Sequence, residues 1–282
     1  MNIGRFEVEQ LSEGIFEIFE DGDIRKTDPD HIEDSSEDEL LRSSSSFVGI
    51  DPVLIRDGKH NILIDTGLGW GLDHRSHFEN TSNLKTNLDI FGLSPDDITH
   101  VVLSHLHFDH SAGSTYVDGE SRTQVTMPYA NYFIQKKEWY FALEQMEHPT
   151  DVIGAGYNLD ELYKLMAEEK LVMITDASFE LIPGIKLIRT GGHTPGHQIV
   201  KIEDQGETAY YLGDLVPTEF HLNQYSMRKM DIDPLQAKKA KTLILRQALE
   251  ENAYLLFYHS IHTKSGRLDK DKDRNLVLRK ER

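Results

Sequence analysis

Six consecutive residues, His105-Leu106-His107-Phe108-Asp109-His110, carry four side chains able to hold a metal ion. They follow directly on His100 to Ser104, a run that reads as a short buried strand. Side chains alternate along a strand, so His105 and His107 can point to one side as the strand runs out. The turn that follows carries Asp109 and His110 round to a second position a few ångströms away, so one loop can seed two metal positions. Few folds deliver a strand into such a loop, and this restricts the chain more than any other feature.

The sequence has no cysteine, so thiolate sites and disulfides are excluded and any metal must be held by His, Asp or Glu. Imidazole and carboxylate suit zinc, the expected ion, and also manganese or iron. A net charge of −18 repels a phosphate backbone, which argues against a nucleic-acid partner. No apolar run approaches the roughly 20 residues of a membrane span, and residues 1–10 lack the basic start and apolar middle of a signal peptide. The expectation is a cytoplasmic protein with a small-molecule substrate, no nucleic acid and no membrane partner.

The remaining sequence predicts one domain over residues 1–282, of the α/β class. Phe6 to Glu20 reads as a strand pair with Gly14 at the turn, and 28–46 as an acidic, Ser-rich loop or short polar helix. Phe47 to Arg56 and Asn61 to Asp65 read as strands joined by a tight turn at Asp57-Gly58-Lys59. Leu84 to Phe91 reads as a helix, and Tyr129 to Lys170 as a helical region whose apolar residues read by default as core, with Tyr129 to Leu165 equally able to line a pocket or form a homodimer contact. Strands resume at Leu171 to Ile174, Glu180 to Ile182, Lys186 to Thr190, Gln198 to Glu203 and Thr208 to Leu212. Pro234 to Asn252 is a helix and Tyr254 to Tyr258 a last buried strand. Two comparable halves of strands and helices suggest two sheets between helical layers.

Three later motifs stand past strand ends in the same order: Gly191-Gly192-His193-Thr194-Pro195-Gly196-His197, Tyr211-Leu212-Gly213-Asp214 and Phe257-Tyr258-His259. With the His-x-His-x-Asp-His run they resemble the metallo-β-lactamase superfamily over about Val53 to His259. The resemblance implies an αββα four-layer sandwich of two mixed β-sheets. It implies a first metal on His105, His107 and His193, a second on Asp109, His110 and His259, and Asp214 shared between them. His262 competes with His259 for the last position, His197 belongs to the loop or supports a ligand, and Asp65 orients a ligand imidazole through a hydrogen bond.

Two divalent ions sharing Asp214 would hold a hydroxide whose parent water has its pKa brought to roughly 7, with Asp109 orienting it and carrying its proton. The motifs look closest to quorum-quenching N-acyl-homoserine lactonases and related ester hydrolases. Several of those place a Tyr shortly after the shared Asp, where this chain has Leu215-Val216-Pro217-Thr218; Tyr225 could take that role. A glyoxalase II-type thioester hydrolase, with Lys264, Arg267 and Lys270 facing an anionic conjugate, is the second reading. A phosphotriesterase-like hydrolase and a metal-binding scaffold without turnover complete the set.

Overall fold

The computed structural model of the chain describes residues 1–18, 24–27, 46–69, 84–147, 156–157, 159–160 and 162–279. The Ser-rich segment lies outside them except for Ser46, which opens a strand. Among the described residues two seven-stranded sheets dominate. The first runs, in spatial order, Asn2–Ile3, Phe6–Gln10, Val53–Arg56, Asn61–Ile64, His100–Val102, Asn131–Gln135 and Leu171–Ile174. Its first four strands pair antiparallel and its last four parallel. The second runs Ser178–Ile182, Ile185–Arg189, Gln198–Asp204, Glu207–Tyr211, Tyr254–Leu256, Ser265–Lys270 and Leu276–Leu278. It is antiparallel except where Glu207–Tyr211 meets Tyr254–Leu256. Both sheets are therefore mixed, as the resemblance implied.

The alternation of each strand places one set of apolar residues between the sheets. Phe6, Val8, Val53, Ile55, Ile62 and Ile64 of the first sheet pack in one cluster with Ile185, Leu187, Val200, Ile202 and Leu256 of the second. The outer face of the first sheet is covered by helices α1 (Leu84–Ile90), α3 (Lys136–Glu147) and α4 (Tyr163–Ala167), which contribute Leu84, Leu88, Trp139, Ala142 and Leu165 to a second cluster. Helix α5 (Pro234–Glu250) covers the second sheet with Ala240, Ile244, Leu245 and Ala248 at helical spacing. Its start is set by Asp233, whose side chain accepts from Gln236 N–H, with Pro234 at the first helical position. The result is helix, sheet, sheet, helix. No described helix is long and apolar enough to cross a membrane.

Three local expectations are corrected. Phe6–Gln10 and Gly14–Ile18 are both strands but do not pair; the second belongs to a separate three-stranded sheet with Ile24–Thr27 and Ser46–Ile50. Phe47 to Arg56 likewise divides at Asp51-Pro52 into strands of different sheets. The two crossings lie side by side, with Leu11 N–H bonded to Pro52 C=O at 2.7 Å and Glu13 N–H to Ile50 C=O at 2.9 Å. Proline removes a ladder donor, which favours the break there. In the region read as helical, Asn131–Gln135 is a buried strand, because Tyr132, Phe133 and Ile134 are all inside and the neighbours on both sides supply parallel partners. The basic C-terminal residues Lys264, Arg267 and Lys270 stand in or beside a strand, Ser265–Lys270.

Candidate metal centre

The register of the sheets brings the motifs to one end of the sandwich. Tyr211 and Leu256 are partners in parallel strands, so Asp214 and His259, each three residues on, leave at the same edge. In the first sheet Ile64 and Val102 are parallel partners, which puts Asp65 beside the loop that starts at Ser104. His193 sits in the connection between the antiparallel strands Ile185–Arg189 and Gln198–Asp204. After the strand, residues 105–107 run into helix α2 (Phe108–Ser111), with His107 at its N-cap position. His107 makes no side-chain cap there, so its ring is free to face the other histidines.

Three nitrogens converge first. His105 Nε2 lies 2.9 Å and His193 Nε2 3.1 Å from His107 Nδ1. Nitrogens bound to one zinc at about 2.0–2.1 Å in a tetrahedron stand about 3.3 Å apart, close to this spacing. A second group places His259 Nε2 3.2 Å from His110 Nε2 and 3.4 Å from Asp109 Oδ2. Asp214 lies between the groups: Oδ2 is 3.3 Å from His193 Nε2, while Oδ1 is 3.4 Å from His110 Nε2 and 3.2 Å from His259 Nε2. The sets His105-His107-His193, His105-His110-Asp214 and Asp109-His110-His259 each have their ligand atoms within 4.8 Å of one another.

Hydrogen bonding at the far ring nitrogens decides what these groups can do. The Ser104 hydroxyl donates to Asp65 Oδ2 at 2.7 Å, so it accepts from His105 Nδ1–H at 3.0 Å. His110 Nδ1–H donates to Asp65 Oδ2 at 2.8 Å and His259 Nδ1–H to the Gly49 carbonyl at 2.9 Å, while His193 Nδ1 lies 3.2 Å from Asp231 Oδ1 and 2.9 Å from Arg228 Nη2. The Nε2 atoms of all four rings are thereby aimed into the cluster, at one another and at carboxylate oxygens. Asp214 Oδ1 is buried with no hydrogen-bond partner, and this donor set of imidazoles and carboxylates fits two divalent ions.

The electrostatics separate the two groups. Burial, reinforced by neighbouring imidazoles, holds His105 and His107 well below the ordinary histidine range, so both present neutral rings. Burial opposes charge at His110 and His259 too, but Asp109 with Asp65 raises the first well above its ordinary value and Asp214 raises the second. The same negative field attracts a metal cation. Burial would raise Asp214, yet His259 and His193 overcome it and hold the carboxylate well below its usual range.

All seven expected ligands and Asp65 are therefore assembled at one place. His262 is exposed, whereas His259 faces the cluster. His197 accepts from Asp214 N–H through Nε2 at 3.0 Å and meets Thr190 Oγ1 at 2.7 Å, which fixes the backbone of the shared carboxylate. Tyr225 is 70% exposed and packs under Lys238 Nζ at 6.0 Å, so the role envisaged for it gains no contact here. Sequence reasoning missed Asp231, Arg228 and Glu138. Arg228 Nη2 donates to the Asp214 carbonyl at 2.6 Å and to Asp231 Oδ1 at 2.8 Å, bracing the shared carboxylate against the partner of His193. Arg228 and Asp231 are local partners of each other, but the groups that give them and Glu138 their place at the site, Asp214, His193 and Leu106, are 14 to 38 residues away.

This sandwich with histidines and carboxylates at the strand ends defines a class of metal-binding fold, and the profile of the metallo-beta-lactamase superfamily matches residues 47–270. The chain belongs to that superfamily. It is 29% identical over 158 residues to an N-acyl homoserine lactonase of Bacillus cereus, a match over 51% of this chain and 54% of that one. The chain thus spans about half the length of that relative. A probable metal-dependent hydrolase from Staphylococcus aureus has a similar structure, with a TM-score of 0.77 and 26% identity over 100% of this chain and 99% of that one. AidC, a dizinc quorum-quenching lactonase, shares the fold with a TM-score of 0.74 and 22% identity over 100% and 96%.

Proposed function

We propose that the chain is a metal-dependent hydrolase that uses two divalent ions, zinc first among them, to open an ester or lactone carbonyl, with N-acyl homoserine lactones as the substrate class. The observation that carries this is Asp214, whose two oxygens face two different histidine groups. The lactonase relative supports the substrate class. His105, His107 and His193 would hold one ion, Asp109, His110 and His259 the other, and Asp214 both. When bound, such a pair polarises a carbonyl oxygen and lowers the pKa of a coordinated water to roughly 7.

The chain's own residues supply the rest. Asp109 is the most open of the ligand carboxylates, with Oδ2 turned to the cluster, and is placed to orient water and accept its proton. Its backbone carbonyl is held by the Tyr258 hydroxyl at 2.6 Å. Phe108, 37% exposed beside it, offers apolar surface to an acyl chain. Zinc-loaded protein assayed with an N-acyl homoserine lactone, a glutathione thioester and a phosphotriester tests the reading. Lactone opening should dominate; turnover of the thioester alone would replace it.

A further inference from the structure

Glu138 is fully buried near the start of α3, and its carboxylate joins the two loops that carry the first histidine group. Oε1 accepts from Leu106 N–H at 3.1 Å and from the Tyr157 hydroxyl at 3.3 Å. Oε2 accepts from the Thr194 hydroxyl at 2.6 Å and from Gly196 N–H at 3.1 Å. Leu106 lies between His105 and His107, and Thr194 follows His193. The carboxylate thus bonds to both ligand-bearing segments without bonding to a ligand ring.

Two contacts show that the arrangement is built tightly. A Cβ on Gly196 would stand 2.2 Å from Glu138 N, so only glycine lets this loop reach the helix. Tyr157, whose hydroxyl ends on Glu138, lays its ring 4.9 Å from that of His107. The second group is held otherwise: Asp65 fixes His110 and the Gly49 carbonyl fixes His259. A buried carboxylate that satisfies four donors leaves those donors stranded when it is changed, so its removal is felt by both loops at once.

We propose that Glu138 is a positioning residue that sets the spacing of His105, His107 and His193, and so governs the affinity of that one metal position and not of its neighbour. The inference rests on the two-ion reading above. In Glu138→Gln one oxygen becomes an amide donor facing donors, so the tie between the loops fails while the volume stays. Thr194→Val removes a single donor and is the milder variant.

Zinc affinity of the full chain, measured by competition with a fluorescent chelator, tests it in two backgrounds. His110→Ala disables the second group and His193→Ala the first. Glu138→Gln should weaken the equivalent remaining in His110→Ala by about 10–100-fold, the usual effect of losing an outer hydrogen bond. It should leave the equivalent remaining in His193→Ala within about twofold, a selectivity that a general loss of structure does not produce. Thr194→Val should act on the same equivalent to a smaller extent, and it decides alone if Glu138→Gln fails to fold. Equal loss in both backgrounds, or none in His110→Ala, overturns the inference. Wild type that binds two equivalents while Glu138→Gln binds both as tightly overturns only this inference; wild type that binds none removes the two-ion reading with it.

Discussion

Oδ2 of Asp65 lies 2.8 Å from Nδ1 of His110, with both side chains buried out of contact with water. The same carboxylate accepts from Ser104 N–H at 2.6 Å, the Ser104 hydroxyl at 2.7 Å and the Tyr211 hydroxyl at 2.5 Å. Asp65→Asn keeps the shape, and asparagine tolerates the left-handed backbone at φ 56°. The amide, however, turns a donor toward donors. Zinc affinity should fall about 10–100-fold and unfolding free energy by about 1–3 kcal/mol, measured by chelator competition and urea titration.

Asp214→Ala removes the oxygens that face both histidine groups. Most bound metal and most lactone hydrolysis should disappear together. Metal analysis of the purified variant beside its circular dichroism checks this, and a folded variant that keeps its metal and turnover would show the shared role to be wrong.

Asp231 Oδ1 lies 3.2 Å from His193 Nδ1 and is itself held by Arg228, whose charge, with the His193 contact, keeps the carboxyl below its ordinary range despite burial. Asp231→Ala should free the His193 ring to rotate and leave Arg228 without its acid. Metal affinity should drop about 10–100-fold. Competition titration reads the change, and an unaltered affinity would mean that packing alone orients the ring.

His221 carries a pH signature. Burial, with Arg228 nearby, pushes its pKa down to about 4, against about 6.5 in an unfolded chain. Between those values the unfolded chain binds more protons, so this contribution to stability is complete above pH 6.5 and is lost as pH falls toward 4. The loss is about 3 kcal/mol. His221→Asn should flatten the stability profile across that window; an unchanged slope would assign it to other groups.

The parts of this architecture that the sequence makes readable are those with a strong local period or a dense motif. Helix α5 announces itself through Asp233-Pro234 and its apolar stripe, and the hairpin Val53–Arg56 to Asn61–Ile64 through Asp57-Gly58-Lys59. The eight expected site residues are brought together because each follows a strand end, and strand ends are legible in apolar runs. Pairing partners are not. Phe6–Gln10 and Gly14–Ile18 look like a hairpin because alternation says which face a residue takes but not which sheet it joins. Asn131–Gln135 was hidden because a fully buried parallel strand has no alternation to separate it from a buried helix. Glu138 and Asp231 were hidden for a third reason: Glu138 takes its meaning from partners 19 to 58 residues away, and Asp231 from His193, 38 residues away.

In the proposed reading, two histidine groups around the shared Asp214 carboxylate hold two cations per chain. Zinc titration of metal-free protein, followed by calorimetry, should show two equivalents bound. A single equivalent, or none, would contradict the account.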